Sequence, residues 1–213
     1  MNFLTSDLTA LERYRWLASA VVPRPIAWVS TLSSTGIANL APFSFFTIAS
    51  CSPPVLMFTH VNPSDRREKD TLRNLKETGQ CVINTVGVGA LDAMNASCAA
   101  YPSDVSEFDA LEITAVTSLV VRPPGVAAAQ VRFECSLRDI VCVSPGPSGG
   151  HLVLVDVLNI FVSDSLVKGD GVDAQGLDAL GKMGGDSYTL TRQTVELARP
   201  GIPESGTEKG DDR

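Results

Sequence analysis

Lys69 and Thr71 stand two residues apart at the head of a run with helical spacing, in which Leu72, Leu75 and the stem of Lys76 share a face and Gly79 supplies a stop. An ammonium, a hydroxyl and the free N–H groups of a helix start together form a cradle for a phosphate. Arg66 and Arg67, a few residues upstream in the same mixed-charge run, could add to it. A plainer role fits the same residues: Thr71 caps the helix and the cations face water.

Other chemistries find weaker support. His60 and His151 are the two histidines, and no visible triad partners accompany them; each suits a surface or hydrogen-bonded core role. Ser44 lacks a G-x-S-x-G setting, which disfavours serine hydrolysis. Gly87-x-Gly89 begins like a dinucleotide fingerprint, but position 92 is Asp and no βαβ pattern surrounds it. The five cysteines, Cys51, Cys81, Cys98, Cys135 and Cys142, form no CxxC pair, so no metal site is assigned and buried free thiols in a reducing compartment are expected. Gly169 to Asp173 is a short acidic turn without the repeat that calcium loops need.

The elements that must position these residues read mainly as β. A chain of 213 residues with 44% hydrophobic content suits one domain with a substantial core. With 24 acidic against 17 basic residues, a net charge of -7 argues against a nucleic-acid partner. No apolar run approaches the length of a membrane span and no secretory leader pattern opens the chain, so a cytoplasmic protein is expected. Thr9 to Glu12 has capping-box spacing ahead of a helix over 10–19. Strands are expected over 26–32, 37–40, 55–59, 81–86, 113–121 and 151–159, and a helix over 89–99. Pro42 argues against a regular central strand through Ala41 to Thr47. The clearest alternation sets Val131, Phe133, Cys135 and Leu137 against Arg132, Glu134, Ser136 and Arg138. Leu166 to Gly185 reads as glycine-rich loop, and the chain beyond Arg199 is polar and expected to fray. Many short strands with few helices predict a partly antiparallel barrel with peripheral helices. The expected divisions are an extension over 1–22, a barrel domain over 23–190 and a polar tail over 191–213.

Several linked motifs then carry a resemblance. Pro23 to Thr31 (PRPIAWVST), Gly36 to Phe46 (GIANLAPFSFF), Ser52-Pro53-Pro54, Lys69-Asp70-Thr71, Asn74 and the strand ending at Asn84 follow one another as in the flavin reductase-like family. The likeness continues more weakly through Gly149-Gly150 to Gly184-Gly185 and Tyr188, a late signature expected to fold back toward the flavin. The resemblance implies a mainly β, FMN-binding split barrel of Greek-key character with peripheral helices, usually a homodimer with flavin near the subunit interface. It implies an NAD(P)H-dependent flavin reductase using NADH or NADPH, with a flavin-dependent monooxygenase as recipient of the reduced flavin. An FMN-binding electron-transfer or sensor protein without reductase activity is the alternative. Ser30, Thr31, Asn39, Ala41, Pro42, Ser44, Phe45, Phe46 and Thr47 are the expected ring and ribityl contacts, with Lys69, Thr71, Arg66 and Arg67 at the phosphate. No catalytic side chain is assigned, because hydride transfer belongs to the flavin.

Overall fold

The computed structural model describes residues 1–63 and 68–200. Helix α1 (Ala10–Ala20) precedes β1 (Arg24–Pro25), β2 (Ala27–Leu32), β3 (Ala38–Phe43), β4 (Phe46–Cys51) and β5 (Pro54–Val61). Helix α2 (Asp70–Thr78) leads into β6 (Gln80–Asn84), followed by the short helices α3 (Leu91–Ala96) and α4 (Glu107–Ala110) and the two-residue strands β7 (Ala115–Val116) and β8 (Gly125–Val126). A long hairpin of β9 (Val131–Cys142) and β10 (Gly150–Val162) comes next. The small elements β11 (Val167–Lys168), β12 (Gly171–Val172), α5 (Ala174–Leu177), β13 (Leu180–Lys182) and β14 (Tyr188–Leu190) complete the order.

Seven strands form one antiparallel sheet in the order β3-β2-β6-β9-β10-β5-β4. Its edge strands β3 and β4 are consecutive in sequence, joined only by Ser44 and Phe45, so the sheet curls until its edges meet at a corner. This is a split barrel. Phe43 and Phe58 pack inside it with ring centroids 4.9 Å apart, among Ala27, Val29, Ile83 and Val155. Leu72 and Leu75 bring α2 onto the same core. A second core lies on the outer face of β2, where Trp28, Leu40, Met94, Phe108 and Leu180 hold α3, α4 and β13 against the barrel. Burying each of these large side chains contributes about 1.5–3 kcal/mol.

Local chemistry explains the boundaries. Thr9 and Glu12 complete the capping box, with the Thr9 N–H donating to the Glu12 carboxylate at 2.8 Å and the Glu12 N–H to the Thr9 hydroxyl at 3.3 Å. Gly79 ends α2 at φ 69°, a left-handed cap that glycine adopts without strain. Pro42 lies in β3, and as expected this is not a central strand: β3 is an edge strand that ends at Phe43. The Leu40 N–H donates away from β2, to Glu107, so Pro42 two residues on turns its donor-less nitrogen to the same open side. The strand expected over 113–121 shrinks to β7. There the Glu134 carboxylate takes the N–H groups of Leu119 and Val120 at 2.8 and 2.6 Å, which a sheet partner would otherwise need. The helix expected over 89–99 divides into a 3-10 turn at Val88–Ala90 and α3.

Candidate functional site

A polar layer closes one end of the barrel beneath α2. Thr31 and Asn39 are directly opposed on β2 and β3, so their side chains share the face toward the helix. Asn39 Nδ2 donates to Thr71 Oγ1 at 3.0 Å, and Asn74 Nδ2 donates to Thr31 Oγ1 at 3.0 Å. All four residues are buried, and Asn74 Oδ1 has no hydrogen-bond partner. A buried unpaired acceptor costs roughly 1–3 kcal/mol unless water or a ligand meets it. The two pairs hold the first turns of α2 at fixed height over the sheet.

Beside this layer opens a cleft of about 610 Å³. Asn39, Ala41 and Pro42 of β3 form its floor, the start of α2 from Lys69 to Thr71 one side, and the Ser97–Ser103 segment the opposite wall. Lys69 occupies the N-cap of α2 and its side chain makes no capping bond, and the Leu72 and Arg73 N–H groups turn to the Lys69 carbonyl at 3.0 and 3.2 Å. The Asp70 and Thr71 N–H groups therefore have no acceptor within the helix, and they carry its positive end. Asp70 would oppose an anion here, but Arg73 is ion-paired with it. Glu68 is ion-paired with Lys76 in the same way. The start of α2 thus offers donors and an ammonium with its neighbouring carboxylates engaged, and the cleft volume lies in the range of small-molecule sites.

Glu107 completes the wall. It is 5% exposed, and its Oε2 accepts the Leu40 N–H at 2.8 Å. Burial raises its pKa above the ordinary 4.5, and the Asp70 charge adds to the rise. His60 on β5 is 2% exposed, with neither ring nitrogen bonded. Burial, then the Lys69 and His151 charges, lowers its pKa to about 4, so it is neutral at pH 7. His151 bonds Asn62 through Nδ1 at 3.0 Å. Neither histidine lines the cleft.

The expected contacts divide by position. Asn39, Ala41, Pro42, Lys69 and Thr71 come together in the cleft. Thr31 lies behind them, buried on Asn74, while Ser30 faces the opposite side of β2 and bonds the Pro124 carbonyl. Ser44 and Phe45 form the barrel corner, with the Arg24 guanidinium 5.6 Å from the Phe45 ring centroid. Phe46 packs on the barrel core and Thr47 is exposed in β4. Arg66 and Arg67 lie outside the described residues. Glu107 and the Ser97–Ser103 wall escape sequence reasoning, because nothing in the pattern of that polar segment ties it to β3.

The profile of the flavin reductase like domain matches residues 19–175. The chain belongs to the flavin reductase-like family. An uncharacterised protein of Bacillus subtilis is 41% identical over 202 residues, which cover 93% of this chain and 98% of that one. Among solved structures, component B of nitrilotriacetate monooxygenase from Bacillus cereus superposes with a TM-score of 0.88 at 27% identity, covering 92% of this chain and 98% of the other. The 2-nitrobenzoate 2-nitroreductase of Pseudomonas fluorescens gives a TM-score of 0.86 at 27% identity, covering 97% and 100%. These are likenesses of the whole barrel and not of one motif.

Proposed function

We propose that the protein binds FMN in the cleft between β3, α2 and the Ser97–Ser103 wall and works as an NAD(P)H-dependent flavin reductase. The observation that carries the reading is the start of α2, where the Lys69 side chain makes no capping bond and Lys69 and Thr71 open onto a cleft lined by Asn39, Ala41 and Pro42. Lys69, the Thr71 hydroxyl and the Asp70 and Thr71 N–H groups would hold the phosphate. Asn39 fixes the Thr71 hydroxyl oxygen, leaving its proton free to point at a ligand. Glu107 and the edge of β3 would address the polyol and the ring. Bound flavin would supply the redox chemistry, accepting a hydride from NADH or NADPH and passing electrons on. The protein's share is binding, orientation and exclusion of water, and no protein acid or base is assigned.

Likeness to a monooxygenase component supports delivery of reduced flavin to a separate oxygenase. Leu158, Ile160 and Phe161 stand exposed on β10 and would be covered in a homodimer. All five cysteines are free thiols, which suits the reducing cytoplasm.

Anaerobic mixing of FMN-loaded protein with NADH or NADPH tests the reading, with flavin absorbance followed in stopped flow. Rapid bleaching by either nucleotide is expected. Protein that fails to quench FMN fluorescence would sink the cofactor assignment. FMN that binds yet is bleached only by a protein donor would make the chain an electron carrier.

A further inference from the structure

In the small sheet, Arg24 of β1 is the direct partner of Lys182 on β13, and Lys182 is the direct partner of Tyr188 on β14. Directly opposed residues of an antiparallel ladder share a face, and like charges so placed repel. Among the described residues neither cation belongs to an ion pair, although the Asp186 charge acts on Lys182 from nearby. Arg24 cannot swing away. It is 6% exposed, and its guanidinium donates to the carbonyls of Ala18, Val21 and Met183, the last two at 2.7 and 2.9 Å. Lys182 Nζ lies 4.2 Å from the Tyr188 ring centroid and donates to the carbonyls of Gly185 and Ser187, which leaves one of its three N–H groups.

The hairpin that carries Lys182 is fixed in place. A Cβ on Gly181 would come within 2.8 Å of Pro23 Cβ, and one on Gly184 within 2.9 Å of Ser19 Cβ, so both glycines permit close packing on the segment ahead of β1. Tyr188 Oη donates to Asn95 Oδ1 at 3.1 Å, near the end of α3. The next residues, from Ser97, are the far wall of the flavin cleft. Cys98 in that wall feels the charges of both Lys69 and Lys182. An acidic protein thus holds two immobile cations, each beside an aromatic ring, next to the cleft and apart from the α2 cradle.

We propose that the Arg24–Lys182–Tyr188 row is a second anion site, which takes the pyrophosphate of the pyridine nucleotide while flavin occupies the cleft. This rests on the reductase reading. Two ligands that must be present together, each bearing phosphate, need two separated cationic sites. Lys182 contacts the phosphate through its remaining donor. Arg24 contributes its charge from beneath without leaving its carbonyls, and Tyr188 offers a flat face to a nucleotide ring.

ADP carries the pyrophosphate but no nicotinamide, so its binding to FMN-loaded protein by calorimetry tests the site apart from the redox reaction. ADP should bind the parent protein. Lys182→Ala should weaken ADP and raise KM for NADH or NADPH by about tenfold or more, since one charge-assisted contact is lost. The FMN Kd should stay where it was, and Lys182→Arg should recover most of the loss. If ADP fails to bind, or binds Lys182→Ala as tightly as the parent, while NADH or NADPH still bleaches the flavin, the site is overturned and the reductase reading survives. If ADP is held through Lys182 but neither nucleotide bleaches the flavin, the reductase reading falls, and the donor assignment with it.

Discussion

Replacing Lys69 by alanine separates a phosphate contact from a structural role. Lys69 is exposed and occupies the N-cap through its backbone alone, so the substitution removes an ammonium whose core contact is the Phe43 ring, 5.6 Å from Nζ to the centroid. Thr71→Val is a poorer probe, because Asn39 Nδ2 would lose its acceptor within a buried pair. One charge-assisted contact is worth roughly 1.5–3 kcal/mol, which corresponds to about a 10- to 150-fold change in Kd. Lys69→Ala should therefore weaken FMN by at least about tenfold. Riboflavin, which lacks the phosphate, should bind parent and variant alike. Fluorescence quenching with both flavins measures this, and added salt supplies a second axis. FMN affinity should fall with ionic strength more steeply in the parent protein, because the lost contact is the screened one. Equal losses for FMN and riboflavin would move Lys69 to another part of the ligand. No loss for either would remove the phosphate from the start of α2 and refute the orientation.

Three other substitutions probe the surroundings of the site. His60→Leu should flatten the acid side of the stability profile. A neutral buried imidazole with pKa about 4 in the fold and 6.5 when unfolded gives stability that is complete above pH 6.5 and lost as pH falls toward 4. The difference should reach roughly 3 kcal/mol in urea titrations at constant protein concentration, and parallel profiles would refute it. Glu107→Gln keeps an acceptor for the Leu40 N–H but removes a carboxyl whose pKa burial raises above 4.5. The native carboxyl binds protons more readily than the unfolded one, so its burial costs more as pH rises through the folded pKa. The glutamine variant should gain on the parent at pH 7, with the gap narrowing toward pH 4.5, and a gap that widens in acid would count against this. Glu134→Ala should cost roughly 2–3 kcal/mol by orphaning the Leu119 and Val120 N–H groups, and should admit protease at that loop before the barrel unfolds.

The features legible in the sequence are those set by local rules. The capping box of α1 and the Gly79 stop each depend on residues a few positions apart, and each appears in place. The alternation of β9 holds only in part, since Phe133, Cys135 and Leu137 pack on the barrel core but Glu134 of the polar set is buried as well. Pro42 is legible for the same kind of reason: a proline forbids pairing on one side, and β3 is an edge strand that ends at Phe43. The run over 113–121, by contrast, misleads. Its β-branched residues fit a strand, but a carboxylate 14 residues downstream of Val120 claims the backbone first. Within the cleft, Asn39, Lys69 and Thr71 are visible through motifs, whereas Glu107 enters through a fold-level contact with Leu40, 67 positions away.

The same distinction bears on electrostatics. A net charge of -7 says that a long polyanion is a poor partner, and it says nothing about where the few cations stand. Most of the described ion-paired cations are neutralised by carboxylates close by on the surface, as Arg73 is by Asp70 and Arg192 by Asp178. Arg24 and Lys182 are treated differently, since β1 and β13 set them face to face and carbonyl oxygens hold them there. Carbonyl dipoles fix the position of a cation without cancelling its charge, whereas a carboxylate does both. Lys69 at the positive end of α2 and the Arg24–Lys182 pair on the hairpin therefore stand as two local reversals of the protein's overall charge, with Cys98 feeling both Lys69 and Lys182. A fold that had only to bind one small anion would need one of them.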